Sequence, residues 1–274
     1  MKESDLISLK ENISKINLDS ETAYEEIFCV FTQGFNMPII TIPFKKGSFG
    51  FRSRNNIDLK DFCSFDELSY PDKEYLTNYS RANKPGQQMF YCSADFETNI
   101  KELSPFWSND LKIGEKFAIT TGTWNFMERF KVCVIPNFDN EKLSALLNRL
   151  SELKKDPVLL EYFAYVNSFF SAQGFYQPNI YKFTSAYSNA YIHNSQVIGE
   201  DVKGILYTSI QNTSGWNLAL SPKFVDDNFE LKSVFKLILR KREILNSEPA
   251  YDNFLDPVPI IPKMLDYSSD KIIW

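Results

Sequence analysis

YSRANKPGQQMFYCSADFETNIKEL, residues 79–103, changes character twice in a short run. A turn built on Arg81-Ala82-Asn83, Pro85 and Gly86 leads into QQMFYCSA (87–94), a compact apolar run of strand type. Asp95 follows as an N-cap, opening a helix through ETNIKEL (97–103). A strand that feeds straight into a helix needs a sheet beside it and helices over it. The pattern on both sides supplies them.

Upstream, residues 3–17 place Leu6, Leu9, Ile13 and Ile16 on one helical face. A second helix is expected over 22–33, with Thr22 and Glu25 at capping-box spacing. MPIITIPF (37–44) and SFGFRSR (48–54) have strand character and are joined by a Lys-Lys-Gly turn. Downstream, 115–126 and 129–137 read as a hairpin of two strands. Residues 140–155 form an amphipathic helix with a leucine stripe, and 157–173 and 179–193 are two more helices. GILYTSI (204–210), WNLAL (216–220) and FELKSVFKLILR (229–240) return to strands. The tail from Glu248, with Pro249, Pro257, Pro259 and Pro262, reads as an extended arm over the surface. The sum is an α+β chain: a helical extension over 1–36, one mixed-sheet domain over 37–247, and the Pro-rich arm over 248–274.

Composition narrows the chemistry. The net charge of -5, with no basic block, argues against direct nucleic-acid binding. His193 is the single histidine, at a helix end beside Asn194, so no His-rich metal site can be built. No metal is expected. The four cysteines form no CxxC pair, and no apolar run approaches the roughly 18 residues of a membrane span. These features, and a start without an apolar leader, lead to the expectation of a cytoplasmic chain with no membrane contact. Twenty-four phenylalanines and 14 tyrosines supply flat rings for a core and for pocket walls.

Three stretches in order carry the chemistry: FRSR (51–54), the segment 79–103, and KGILYTSIQ (203–211). Together they resemble the RES-domain family, named for its arginine, glutamate and serine, over roughly 49–222. The middle motif of that family reads here as Ser80-Arg81-Ala82-Asn83, then Gly86, Tyr91 and Glu102. Its C-terminal strand reads as Gly204-Ile205-Leu206-Tyr207-Thr208-Ser209. The family's leading glycine and tryptophan are missing from the middle motif, and Thr208 replaces a proline. Arg52 and Arg54 both stand where one arginine is expected. Arg52 is preferred, because Phe51 supplies the preceding aromatic, but a two-residue shift keeps the same strand face and alternation cannot separate them.

The resemblance implies an ADP-ribosyltransferase-like fold and a bacterial toxin that consumes NAD+ as substrate, with no resident cofactor. It also implies a cognate helix-turn-helix antitoxin as partner, with a homodimer open. Glu102, Arg52, Tyr91 and Ser209 are the implied catalytic set, with Arg81, Asn83, Tyr207 and Arg54 binding substrate. Their chemistry suits the task. Breaking the nicotinamide–ribose bond builds positive charge on the sugar, which a carboxylate stabilises, and arginines hold a pyrophosphate through paired donors. Water is the first acceptor to consider and phosphate the second. The alternatives are an ADP-ribosyltransferase with a macromolecular target, or a nucleotide-binding module without turnover. Taken one at a time, each of these residues has an ordinary reading as a turn, core or surface group. Cys92 lacks a neighbour that would make it a nucleophile.

Overall fold

Leu6, Leu9 and Ile13 lie on one face at helical spacing, and the first helix, α1 (Glu3–Ser14), buries all three. The computed structural model describes residues 1–34, 37–103, 112–140, 142–143, 155–172, 177–193, 201–240 and 259–274. Helix α2 (Ala23–Cys29) runs on into a wider turn, Val30–Gly34. The capping box expected at Thr22 is not formed. Thr22 itself takes helical dihedrals (φ -84°, ψ -7°), and its hydroxyl donates to Glu26 at 2.5 Å and accepts from no backbone amide of the helix.

The strands are β1 (Ile40–Phe44), β2 (Phe49–Asn56), β3 (Phe90–Ser93), β4 (Lys116–Phe126) and β5 (Phe130–Val134), followed by β6 (Val202–Thr208), β7 (Trp216–Leu220) and β8 (Phe229–Arg240). They form one sheet in the order β1-β5-β6-β7-β3-β2-β4-β8. The expected hairpin between 115–126 and 129–137 is absent: β4 pairs with β2 and β8, and β5 pairs with β1 and β6. Nor do β1 and β2 pair with each other. Instead β1–β2 and β4–β5 run as two bent strands side by side. Phe44 faces Phe130 and Phe49 faces Asn125, so one antiparallel register passes through the bend. Gly47, at φ +82°, donates to Phe126 O, and Phe126 donates to Ser48 O, both at 2.8 Å. A bend within a strand and a reversal use the same residue types, so local sequence cannot tell them apart.

Among the described residues only β5 and β6 are parallel, and their crossover contains α4 (Pro157–Phe170) and α5 (Ile180–Ile192). Asp156 caps α4 by accepting from the amides of Val158 and Leu159. Alternation divides β6 and β7 between two cores. Ile205, Tyr207 and Ala219 face the helices, while Leu206, Leu218 and Leu220 join Phe90, Phe126, Phe130 and Val132 on the other side. Helices α1 and α2 share the first of these clusters with Tyr162, Phe183 and Tyr187 of α4 and α5. Buried Lys182 ties the connection down by donating to Leu18 O and Ser20 O at 2.9 Å each.

A short helix, α6 (Pro222–Asn228), precedes β8 and was not foreseen. In the tail, Ile260 exchanges two backbone bonds with Lys236, and a small hairpin pairs β9 (Met264–Asp266) with β10 (Lys271–Ile273). The reading of this segment as an extended arm lacked that hairpin. Lys236 forms an ion pair with Asp61 and lies 5.2 Å from the Trp274 ring. The first part of the arm, 248–258, and nearly all of the helix expected over 140–155 lie outside the described residues.

Leu9 is fully buried between α1 and the shared cluster, so its truncation leaves a cavity there. Leu9→Ala is expected to lower the unfolding free energy by about 2–5 kcal/mol in a urea titration. A change within error would mean that the N-terminal helices are not part of the core.

Candidate functional site

Strands β2 and β3 are joined through one residue pair, Phe51 with Ser93. Beyond that pair they part, and the side chain of Arg52 fills the gap. Its Nη1 donates to Tyr91 O and its Nε to Ser69 O, both at 2.8 Å. Burial, then the neighbouring charge of Arg54, brings the Arg52 pKa down to about 10, so it is still a cation at neutral pH. The opening gives onto a cavity of about 450 Å³ lined by Arg52, Arg81, Tyr91, Glu102, Tyr181 and Tyr207, with a polar floor of Ser53, Ser93, Asn99 and Asn217.

Glu102 is the last residue of α3 (Phe96–Glu102). Asp95 starts that helix by accepting from Thr98 N at 2.7 Å, as its residue type predicts. The first turn of α3 is held by the loop between β6 and β7. Asn212 Nδ2 donates to Thr98 Oγ1 at 2.8 Å, and a Cβ at Gly215 would meet that same oxygen at 2.0 Å. Glycine is required there because only a bare backbone can come so close. The loop thereby brings Ser209 to Glu102. Ser209 Oγ and Asn217 Nδ2 both donate to Glu102 Oε1, at 2.6 Å each.

The residues singled out in the sequence therefore part company. Arg52, Arg81, Tyr91, Glu102 and Tyr207 line one cavity. Arg54 does not. It donates to Glu67 O at 2.6 Å, stacks on Phe62, and lines a second cleft with Asp66, Tyr70 and Asp72. Asn83, expected to touch substrate, is 1% exposed, and its Oδ1 accepts from the Tyr91 hydroxyl at 2.7 Å. That hydroxyl also accepts from Ala82 N at 2.9 Å, so Tyr91 offers the cavity its ring while its oxygen braces the turn. Ser209 is likewise 1% exposed and does not line the cavity; its oxygen accepts from Asn212 N at 2.9 Å while its proton goes to Glu102.

Arg81 works on two sides. Its Nη1 donates to the carbonyls of Phe170, at 2.6 Å, and Ala172, at 3.2 Å, which closes the C-terminus of α4 where carbonyls lack partners. Its guanidinium lies 4.9 Å from the Tyr181 ring. The Tyr207 hydroxyl makes no hydrogen bond among the described residues, and burial, with Tyr91 and Glu102 nearby, holds its proton on well above the usual tyrosine range. It is a donor available to the cavity. His193 caps α5 and meets Gln87 at 3.1 Å, away from the lining residues.

Sequence reasoning missed Tyr181, Ser93, Asn99 and Asn217. One signal was present, an amide inside the otherwise apolar strand WNLAL, but its partner depends on a strand pairing that local sequence does not state. Among the described residues no cluster of three or more His, Cys, Asp or Glu could hold a metal ion, and no helix is long and apolar enough to cross a membrane.

The model of the RES domain matches residues 57–237, well over half of the chain, and the chain belongs to the RES domain family. Comparison with curated proteins and with solved structures gives no match. The matched span includes Arg81, Tyr91, Glu102, Tyr207, Ser209 and Asn217 and begins after Arg52, whose place in the site rests on geometry alone. Membership supports a toxin-like action on a nucleotide at the level of the family.

Cys92 sits at this cavity, and burial pushes its thiol up to about 12. The nucleophilic thiolate forms only as pH approaches that value, so at pH 8 about one thiol in ten thousand is ionised. Iodoacetamide at pH 8 is expected to label exposed Cys29 and Cys63 and to leave buried Cys92 and Cys133 unmodified, read by peptide mass spectrometry. Rapid labelling of Cys92 would contradict this burial.

Proposed function

We propose that the chain consumes NAD+ by breaking the glycosidic bond between nicotinamide and ribose. Water is the preferred acceptor and phosphate the second. The observation that carries this reading is one carboxylate, Glu102, fixed through a single oxygen by two donors, on the wall of a cavity that also holds Arg52 and Arg81.

With Oε1 committed to Ser209 and Asn217, Glu102 keeps Oε2 for the ribose. As the C1′–N bond lengthens, its electron pair moves into the pyridinium ring and nicotinamide leaves neutral. The sugar gains positive charge, and a fixed carboxylate beside it lowers the barrier without reorganising. Attack by water on C1′ and loss of one proton to solvent gives ADP-ribose; attack by phosphate gives the corresponding sugar phosphate. Arg52 uses two of its five donors on backbone carbonyls and Arg81 uses one nitrogen, so both keep N–H groups for the pyrophosphate. Tyr91 and Tyr181 supply ring faces for the nicotinamide end, and the Tyr207 hydroxyl supplies a donor. In this scheme Ser209 is a positioning residue, because its hydroxyl acts through Glu102. The sheet that opens between β2 and β3 over such a cavity supports reading the core as ADP-ribosyltransferase-like.

The purified chain is expected to release nicotinamide from NAD+. Added phosphate changes the sugar product if phosphate competes with water. Glu102→Gln, which keeps the size and removes the charge, should lower kcat by about 10²–10³-fold with the fold retained. Full activity in both Glu102→Gln and Arg52→Ala would sink the site assignment. A folded wild-type chain that releases nothing, alone or with added lysate, would overturn the reading.

A further inference from the structure

We propose that Asn217 is a positioning residue for Glu102, its amide oriented by the carboxylate itself and held in that orientation by a buried polar chain behind it. The inference rests on the reading of Glu102 as the group that meets the ribose.

Asn217 lies on β7, directly across from Ser93 of β3 and Tyr207 of β6. Its side chain is 5% exposed and spans the space between two polar groups. Nδ2 donates to Glu102 Oε1 and Oδ1 accepts from Ser93 Oγ, both at 2.6 Å. An amide can be turned end for end with little change in shape, so the geometry alone leaves two orientations. Electrostatics chooses. Turned over, the amide oxygen would meet a carboxylate oxygen at the same separation, with no proton between them.

The hydroxyl of Ser93 points at Asn217 because its other neighbour is already a donor. Asn99 Nδ2 approaches Ser93 Oγ at 3.5 Å, a long contact, and donates to Phe51 O at 2.9 Å. The oxygen of Asn99 is taken by the Ser53 hydroxyl, and Ser53 meets Thr121 at 2.6 Å. Each donor is thus assigned by the next: Thr121 to Ser53, Ser53 to Asn99, Ser93 to Asn217, Asn217 to Glu102. Thr121, Ser53, Asn99, Ser93 and Asn217 are buried, and Glu102, part-buried, ends the chain at the cavity wall. The chain also crosses the single pairing between β2 and β3, since Phe51 and Ser93 are the paired residues.

Ser209 alone would hold Glu102 Oε1 from one side and leave the carboxyl group free to swing about that contact. The second donor, from the neighbouring strand, removes that freedom and aims Oε2 at the cavity. A reacting group displaced by about 1 Å loses on the order of 10²-fold in rate.

Asn217→Ala and Asn217→Asp test this, with Ser93→Ala and Ser93→Thr as the second pair. Asn217→Asp keeps the size but sets a carboxylate against a carboxylate, and Ser93→Thr keeps the hydroxyl. Nicotinamide release, the KM for NAD+, and crystal structures of all four variants are the readouts. The expected result is kcat lower by about 10²-fold in Asn217→Ala and Asn217→Asp, with KM little changed, a smaller loss in Ser93→Ala, and rescue in Ser93→Thr. The crystal structures should show the Glu102 carboxylate rotated about its Ser209 contact, with Oε2 displaced, in both Asn217 variants. Wild-type kcat with an unmoved Glu102 in Asn217→Ala would overturn the inference and leave the proposed reaction standing. A displaced Glu102 in variants of a chain that never cleaves NAD+ would uphold the positioning role and remove the reaction instead.

Discussion

Two bent strands, 40–56 and 118–134, run side by side through the molecule and keep one antiparallel register across their bend. Most of the structure hangs from that ribbon. One half of it pairs with β6 on one side of the sheet; the other half pairs with β3 and β8 on the other. A strand pair that belongs to both parts of a sheet cannot satisfy every neighbour along its length, and the shortfall falls between β2 and β3. There the ladder shrinks to Phe51 and Ser93, and side chains take over the work of backbone bonds. Arg52 answers Tyr91 O, and Asn99 answers Phe51 O. The cavity is the consequence of a sheet that opens where its backbone pairing runs out.

The walls of that opening illustrate how one group serves both folding and chemistry. Withdrawing a guanidinium from water is costly unless its donors are met, so part-buried Arg52 and Arg81 each give some of their donors to carbonyls and keep the rest. Arg81 closes the end of α4 and thereby links the helical layer to the site. Tyr91 braces the 81–83 turn with its oxygen and presents its ring to the cavity. Positioning by such shared contacts requires no dedicated scaffold, but it means that the site and the core are formed together.

Much of the secondary structure was legible because it has a local cause. The spacing of Leu6, Leu9 and Ile13 makes one apolar stripe, Asp95 has the side chain that caps α3, and FELKSVFKLILR has the β-branched and aromatic residues of a long strand. Where the cause is not local, the reading failed. Lys-Lys-Gly has the composition of a turn that reverses a chain, and the short gap between 126 and 129 has the length of one, yet here both lie at bends of strands that continue. Thr22 has the right spacing for a capping box, but packing of α2 on the core carries helical dihedrals back through it.

The same division holds for the site. Sequence by itself determined the residue types and their order, hence the expectation of a chemistry that joins Glu102 to arginines, and the family to which the chain belongs. Arg52 and Arg54 share a strand face and are equivalent to any local reading; only the tertiary structure sends one to the cavity with Glu102 and the other to a separate cleft. Asn83 and Ser209 resemble ligand contacts in a motif, and only burial turns them into supports for Tyr91 and Glu102. Asn217 was invisible for the plainest reason. A residue's chemistry is written in its side chain, whereas its partner is set by which strand lies beside it, and strand pairing is a long-range property of the whole chain.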